Sequence, residues 1–139
     1  MKTLGLCLAV LVVFLSASCR APLVTVNGFI TQQEALAQAK DYLPKILKEW
    51  DTKNMLPGIE VVGEPAATMK SVKPDDVRYC LQPTSLPDSG FLNQSKERLT
   101  WMVTYNVVTS NHYLRGEMHI YIDAKDGSFV CSTYPLIMA

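Results

Sequence analysis

The stretch LTWMVTYNVVTSNHYLRGEMHIYIDAKDGSFV, Leu99 to Val130, decides the fold. Its first part alternates: Leu99, Trp101, Val103, Tyr105 and Val107 are separated by mostly polar residues. Its second part alternates as well, with Leu114, Met118, Ile120 and Ile122 set among Arg115, Glu117, His119 and Tyr121. A period of two marks a strand with one buried face. A tight turn at Ser110-Asn111 would set Trp101 opposite Ile120, Val103 opposite Met118 and Tyr105 opposite Gly116. All the apolar residues then share one face, and the Tyr105 ring covers the bare glycine. A slip of one residue would turn that face to water.

The run Asp123-Ala124-Lys125-Asp126-Gly127 joins the second strand to SFVCSTY. Asp-Gly is hairpin chemistry, because glycine accepts a positive φ without steric cost. The loop is too short for an EF-hand and lacks the later bidentate glutamate, so a corner is expected rather than a Ca²⁺ site. In the last strand Phe129, Cys131 and Thr133 form one set, and Val130, Ser132 and Tyr134 the other. Which set faces the core depends on a bulge, and Phe129 is expected inward.

Upstream lies ITQQEALAQAKDYLPKILKEW, residues 30–50. Thr31 followed by Glu34 reads as a capping box, with Ile30 placed for a hydrophobic staple against Ala35. Leu36, Ala39, Leu43, Ile46, Leu47 and Trp50 then fall on one stripe of an amphipathic helix. Pro44 cannot donate to the carbonyl of Lys40 and predicts a kink, or a break with a second short helix beginning at Pro44. Beyond it, Pro57-Gly58 reads as a turn and Ile59 to Val62 as a short strand. Pro65, Pro74, Pro83, Pro87 and Gly90 make residues 64–98 a loop-rich insertion, with one strand from Val77 to Gln82. Asn93-Gln94-Ser95 fits a glycosylation sequon, which matters only in a eukaryotic secretory pathway.

The chain has 139 residues, enough for one modest domain, and its 13 basic residues balance 13 acidic ones. No basic field exists to hold a phosphate backbone, so nucleic acid is not an expected partner. The N-terminus, MKTLGLCLAVLVVFLSASCRAP, places Lys2 before an apolar run from Leu4 to Leu15 and the small residues Ser16, Ala17 and Ser18. That is the build of a signal peptide over 1–18, its apolar run too short to span a bilayer comfortably. LSASC resembles a bacterial lipoprotein signal in which Cys19 becomes lipidated, although Ser16 stands where leucine is usual. Lipidation at Cys19 would tether the chain to a membrane without a spanning helix; plain cleavage after Ser18 or Ala21 is the alternative. The expected location is therefore the periplasm or cell envelope, or secretion in soluble form. Residues 19–29 read as a tether and 30–139 as a single domain.

Of the four cysteines, Cys7 lies in the leader. In an oxidising compartment Cys80 and Cys131 are expected to pair, and closing that loop stabilises by about 4 kcal/mol in the chain-entropy model. Two separate buried thiols are the alternative.

One helix followed by an antiparallel meander is an α+β layout. ITQQEALAQA is similar to the helix start of PepSY-like domains. LTWMVTYNV followed by GEMHIYIDAKDGSFV resembles their paired strands and Asp-Ala-x-x-Gly corner. The resemblance spreads over residues 29–134 and is specific mainly in the last hairpin. It implies a non-enzymatic role in binding or restraining peptidases. A cystatin-like fold has the same helix-on-sheet shape, but the Gln-x-Val-x-Gly loop of cysteine-protease inhibitors is absent.

Catalytic motifs are missing too: Gly-x-Ser-x-Gly, His-Glu-x-x-His and a phosphate loop do not occur. His112 and His119 are too far apart on one strand to share a metal unaided, Asp75 and Asp76 read as a turn, and Cys80 could act as a nucleophile only if unpaired. No enzyme activity, metal or cofactor is expected. Three roles fit these residues. A binding module would capture an envelope protein or peptidase on the outward row Arg115, Glu117, His119 and Tyr121. A small-ligand carrier would use a helix-on-sheet pocket near Trp50, Trp101 and Tyr105. A structural envelope lipoprotein would need neither.

Overall fold

A computed structural model of the chain describes residues 25–52, 58–77, 80–110, 115–133 and 136–138. The expected leader, Cys19, His112 and half of the expected Ser110-Asn111 turn lie outside the described residues. The fold is α+β: one helix packs on an antiparallel sheet, with a separate two-stranded sheet before it.

The small sheet pairs β1 (Thr25–Val26) with β2 (Phe29–Ile30) and leads directly into α1 (Gln32–Thr52). Thr31 caps the helix, its Oγ1 accepting the Glu34 N–H at 3.2 Å and its carbonyl the Ala35 N–H at 3.0 Å; this is the Thr31 half of the expected capping box, and the reciprocal bond from the Glu34 carboxylate is not made. Ala35, Ala39, Ile46 and Trp50 are buried on one stripe, with Leu36, Leu43 and Leu47 packed beside them. Of the kink or break expected at Pro44, the break does not occur; α1 is one helix with Pro44 inside it. Pro44 is exposed, so the lost hydrogen bond falls on the solvent side, while buried Ala39 and Ile46 hold the helix to the sheet on either side of it.

The large sheet is formed by β3 (Ile59–Val72), β4 (Cys80–Leu81), β5 (Arg98–Thr109), β6 (Arg115–Asp123), β7 (Phe129–Thr133) and β8 (Leu136–Met138). Its order is β3-β5-β6-β7-β4, and β8 continues along the β6 edge that β7 occupies. Only β5, β6 and β7 form the expected meander. The expected strand at Ile59–Val62 runs on to Val72, so residues 64–72 are strand and not loop. Gly63 and Pro65, the latter expected in the loop-rich insertion, are absorbed in an irregularity of an edge strand, where a missing backbone donor is tolerated. The strand expected from Val77 to Gln82 is shorter, Cys80–Leu81.

The β5–β6 hairpin has the expected parity but not the expected register. Trp101 lies opposite Ile122, Val103 opposite Ile120, Tyr105 opposite Met118 and Val107 opposite Gly116. Each partner is two residues further on than a turn at Ser110-Asn111 would give. A shift of two keeps every side chain on its face, so the apolar pattern allows both registers. Val107, not Tyr105, stands over the glycine.

Val103, Tyr105, Val107, Met118, Ile120, Ile122 and Phe129 form the core beneath α1. Phe129 faces inward as expected, and Tyr42 meets it edge-on with ring centroids 5.5 Å apart. A bulge between Phe129 and Cys131, which pair with the consecutive residues Ile122 and Tyr121, then reverses the alternation. Val130 and Cys131 therefore join a second buried cluster with Val72, Val77, Phe91 and Tyr121. The chain between β3 and β5 makes this possible. It leaves one edge of the sheet at Val72, adds β4 at the opposite edge, and returns to the centre at Arg98. On the way Thr84 docks on α1, its N–H donating to Glu49 Oε2 at 2.8 Å, and Phe91 becomes fully buried.

Cys80 and Cys131 form the expected disulfide, with Cα atoms 5.6 Å apart and 51 residues of separation. β4 contributes only two paired residues, Cys80 opposite Thr133 and Leu81 opposite Ser132. So short an edge strand holds weakly by backbone bonds alone, and the covalent link fixes it. Reduction, or Cys80→Ala with Cys131→Ala, should lower unfolding stability by up to about 4 kcal/mol. Urea titration with and without reductant measures this, and an unchanged midpoint would show that the bridge is dispensable.

Candidate functional site

The Asp123–Gly127 turn is a corner. Asp123 Oδ1 accepts the backbone N–H groups of Lys125 (2.8 Å) and Asp126 (3.3 Å), and Asp126 Oδ1 accepts that of Ser128 (2.8 Å). Gly127 takes φ +72° and donates to the Asp123 carbonyl at 3.0 Å. The corner also ties distant elements together. Ala124 donates to Leu99 and accepts from Ile30, while the Gly127 carbonyl accepts from the Tyr42 hydroxyl. The aspartates thus serve the loop's own backbone. Among the described residues no group of three or more His, Cys, Asp or Glu side chains could hold a metal. Asp76 likewise caps its own turn, accepting the Lys73 N–H at 2.9 Å, and Cys80 is held in the disulfide.

The row expected as a binding surface is not one surface. Arg115 and Glu117 are exposed, on the stretch of β6 that pairs with β8. His119 is half-buried, its Nδ1 hydrogen-bonded to Thr104 Oγ1 at 2.9 Å. Tyr121 is only 4% exposed, packed in the second cluster with its hydroxyl donating to Met102 Sδ at 3.5 Å. The polar alternation of β6 predicts an open face. The chain between β3 and β5 closes the Tyr121 end of that face, which strand periodicity cannot register.

The concavity between helix and sheet is mostly filled. Trp50 is 3% exposed, and Trp101 is half-buried with its Nε1 donating to the Ile30 carbonyl at 3.0 Å. An opening remains beside Tyr105. Three residues of β3, Gly63 to Pro65, stand between the pairs Val62–Asn106 and Ala66–Thr104, so that Tyr105 alone faces them across the sheet. At this irregularity a cleft of about 440 Å³ lies between α1 and β3. Its walls are Leu36, Ala37 and Leu43 on the helix, and Val61 and Pro65 on β3, with Lys40 and Glu64 as its charged groups. Gly63, at φ +72°, borders it, and a Cβ there would enter open space.

Tyr105 lines this cleft while being 4% exposed, and its hydroxyl has no hydrogen-bond partner among the described residues. Burial pushes its phenol above the ordinary value of 10.0, so the group is a protonated donor at neutral pH. Gln82 Oε1 and Ser132 Oγ are also buried without partners, but neither borders this cleft. Of the three aromatic residues expected near a pocket, Tyr105 lines this cleft, Trp50 lines a separate opening of about 410 Å³ with Leu47, Lys48, Asp51, Gly58 and Ile59, and Trp101 borders neither. A Gly-x-Pro interruption within a run of strand-forming residues was the available signal for the irregularity.

The sequence matches no protein-family model, and neither a curated protein nor a solved structure matches the chain. No helix among the described residues is long and apolar enough to cross a membrane.

Two measurements follow from these side chains. A buried hydroxyl without a partner costs about 1–3 kcal/mol of desolvation, so Tyr105→Phe should stabilise the unliganded protein by about 1 kcal/mol. A thermal or urea midpoint that falls instead would show that the hydroxyl is satisfied. His119 is held below the ordinary imidazole value of 6.5, first by burial and then by the Lys70 charge, with Glu117 opposing. The fold therefore favours neutral imidazole, so stability is complete above about pH 6.5 and declines as pH falls through the window below it. The slope is at most about 1.4 kcal/mol per pH unit for a single group. His119→Gln should flatten that decline in urea titrations between pH 7.5 and 5; an unaltered pH profile would assign it to other groups.

Proposed function

We propose that this chain is an exported, non-enzymatic binding module of PepSY-like build, held at the cell envelope through lipidated Cys19, and that it takes its ligand in the cleft between α1 and β3. The observation that carries this reading is the buried hydroxyl of Tyr105, unpartnered among the described residues, on a residue that lines a mainly apolar cleft. Leaving such a group unsatisfied costs stability, and a ligand that accepts its hydrogen bond removes the cost on binding. The leader-like N-terminus and the Cys80–Cys131 disulfide support an oxidising, exported setting.

A second reading, capture of an envelope protein or peptidase, is favoured by the exposure of Arg115 and Glu117 on β6. It uses these two residues rather than the whole expected row.

Native mass measurement of the protein recovered from its own envelope tests both readings. The expected mass begins at Cys19 with added lipid, and a small molecule accompanies the chain. Ala37 is exposed on the cleft wall, so Ala37→Trp should fill the opening without disturbing the core and release that molecule. Retention in Ala37→Trp would place binding elsewhere. Loss of a protein partner on Arg115→Glu with Glu117→Lys, with the fold intact, would favour the second reading.

A further inference from the structure

The cleft beside Tyr105 has a definite chemistry. Resting on the proposal that this cleft is the binding element, we infer that its ligand is an acyl compound: an aliphatic chain bearing a carbonyl or carboxylate oxygen that accepts a hydrogen bond from the Tyr105 hydroxyl. The walls supply the apolar half of this match. Leu36, Leu43, Val61 and Pro65 are aliphatic, and Tyr105 is the one aromatic residue lining the opening. Such walls favour a flexible hydrocarbon chain over a planar ring that would need an aromatic face to stack on. The volume of about 440 Å³ lies in the lower part of the range for small-molecule sites, roughly 300–1,000 Å³.

The polar half is a single donor. A protonated phenol without a partner satisfies an acceptor oxygen and offers little to a ligand cation. Lys40 and Glu64 oppose each other in sign and neither has an ion-pair partner among the described residues. Their charges offset, so the acceptor oxygen and not full ligand charge is the recognised feature. A free acid and an ester share it. Among the described residues no strand pairs with the outer side of β3, so a chain can reach the cleft at that edge without unpairing the sheet.

The test uses the full chain carrying Cys19→Ser, so that no attached lipid competes. Octanoate, methyl octanoate and octyltrimethylammonium are titrated while the backbone amide signals of Leu36, Ala37, Val61 and Gly63 are followed by NMR. The two acyl compounds should shift those signals at lower concentration than the ammonium compound, which has the same chain and no acceptor. Tyr105→Phe should weaken both acyl compounds roughly three- to tenfold, as for loss of one hydrogen bond, and leave the ammonium compound unchanged. Equal binding of all three, or no effect of Tyr105→Phe, would overturn the acyl assignment while the cleft itself stands. If none of the three moves these signals, the acyl assignment falls. The cleft reading falls with it only if Ala37→Trp also leaves the molecule recovered from the envelope in place.

Discussion

The structure depends on β5 being covered on both faces. Val103, Tyr105 and Val107 point to the helix side, and Met102 packs against the second cluster on the other side. A central strand in an antiparallel sheet of this size often leaves one face wet. Here the chain between β3 and β5 crosses the second face and brings Phe91 and Val77 into one cluster with Tyr121 and Val130. Burying Tyr121 and Phe91 removes two large aromatic surfaces from water, and each is worth a few kcal/mol. The disulfide fixes the two-residue strand β4 to β7 within the same path. Closing the second face and pinning the far edge are thus one device.

That device explains why the polar row of β6 misleads. Arg115 and Glu117 obey the alternation and are exposed, whereas Tyr121 obeys it and is buried. The difference lies in what packs above each residue, not in the strand. The bulge at Val130 has the same origin. By inserting one residue into β7 it keeps Phe129 under the helix and turns Cys131 towards the second cluster. Without it, Cys131 would share the face of Phe129.

Local chemistry was legible in the sequence and non-local chemistry was not. The Thr31 cap, the helical stripe and the Asp123–Gly127 corner are each written within a few residues, and each is formed, the cap through the Thr31 half of its box. The face of every residue in β5 is set by parity, which the apolar pattern encodes. The register with β6 is not, because displacements by two leave the same residues buried. The sequence predicts only the Ile59–Val62 part of β3, because Pro65 opens a proline-rich stretch that resembles a loop. At a sheet edge a proline need not break the strand, and edge position is a property of the whole topology. The candidate site inherits this. Parity puts Tyr105 on the helix side, but the cleft beside it involves Gly63 to Pro65, from a strand far earlier in the chain.

Covering one face and loosening the other edge have opposite energetic signs, and this asymmetry is the strongest reason to place a site beside Tyr105. The core under α1 closes tightly from Val103 to Phe129, and the few residues around Gly63–Pro65 stand outside that economy. A regular continuation of β3 past Val62 would pair further residues and bring its side chains onto the Tyr105 ring. The chain instead places a left-handed glycine and a proline there, giving up ladder bonds and leaving a buried hydroxyl unmatched. Departures of this kind from local consistency concentrate where a protein meets something other than itself.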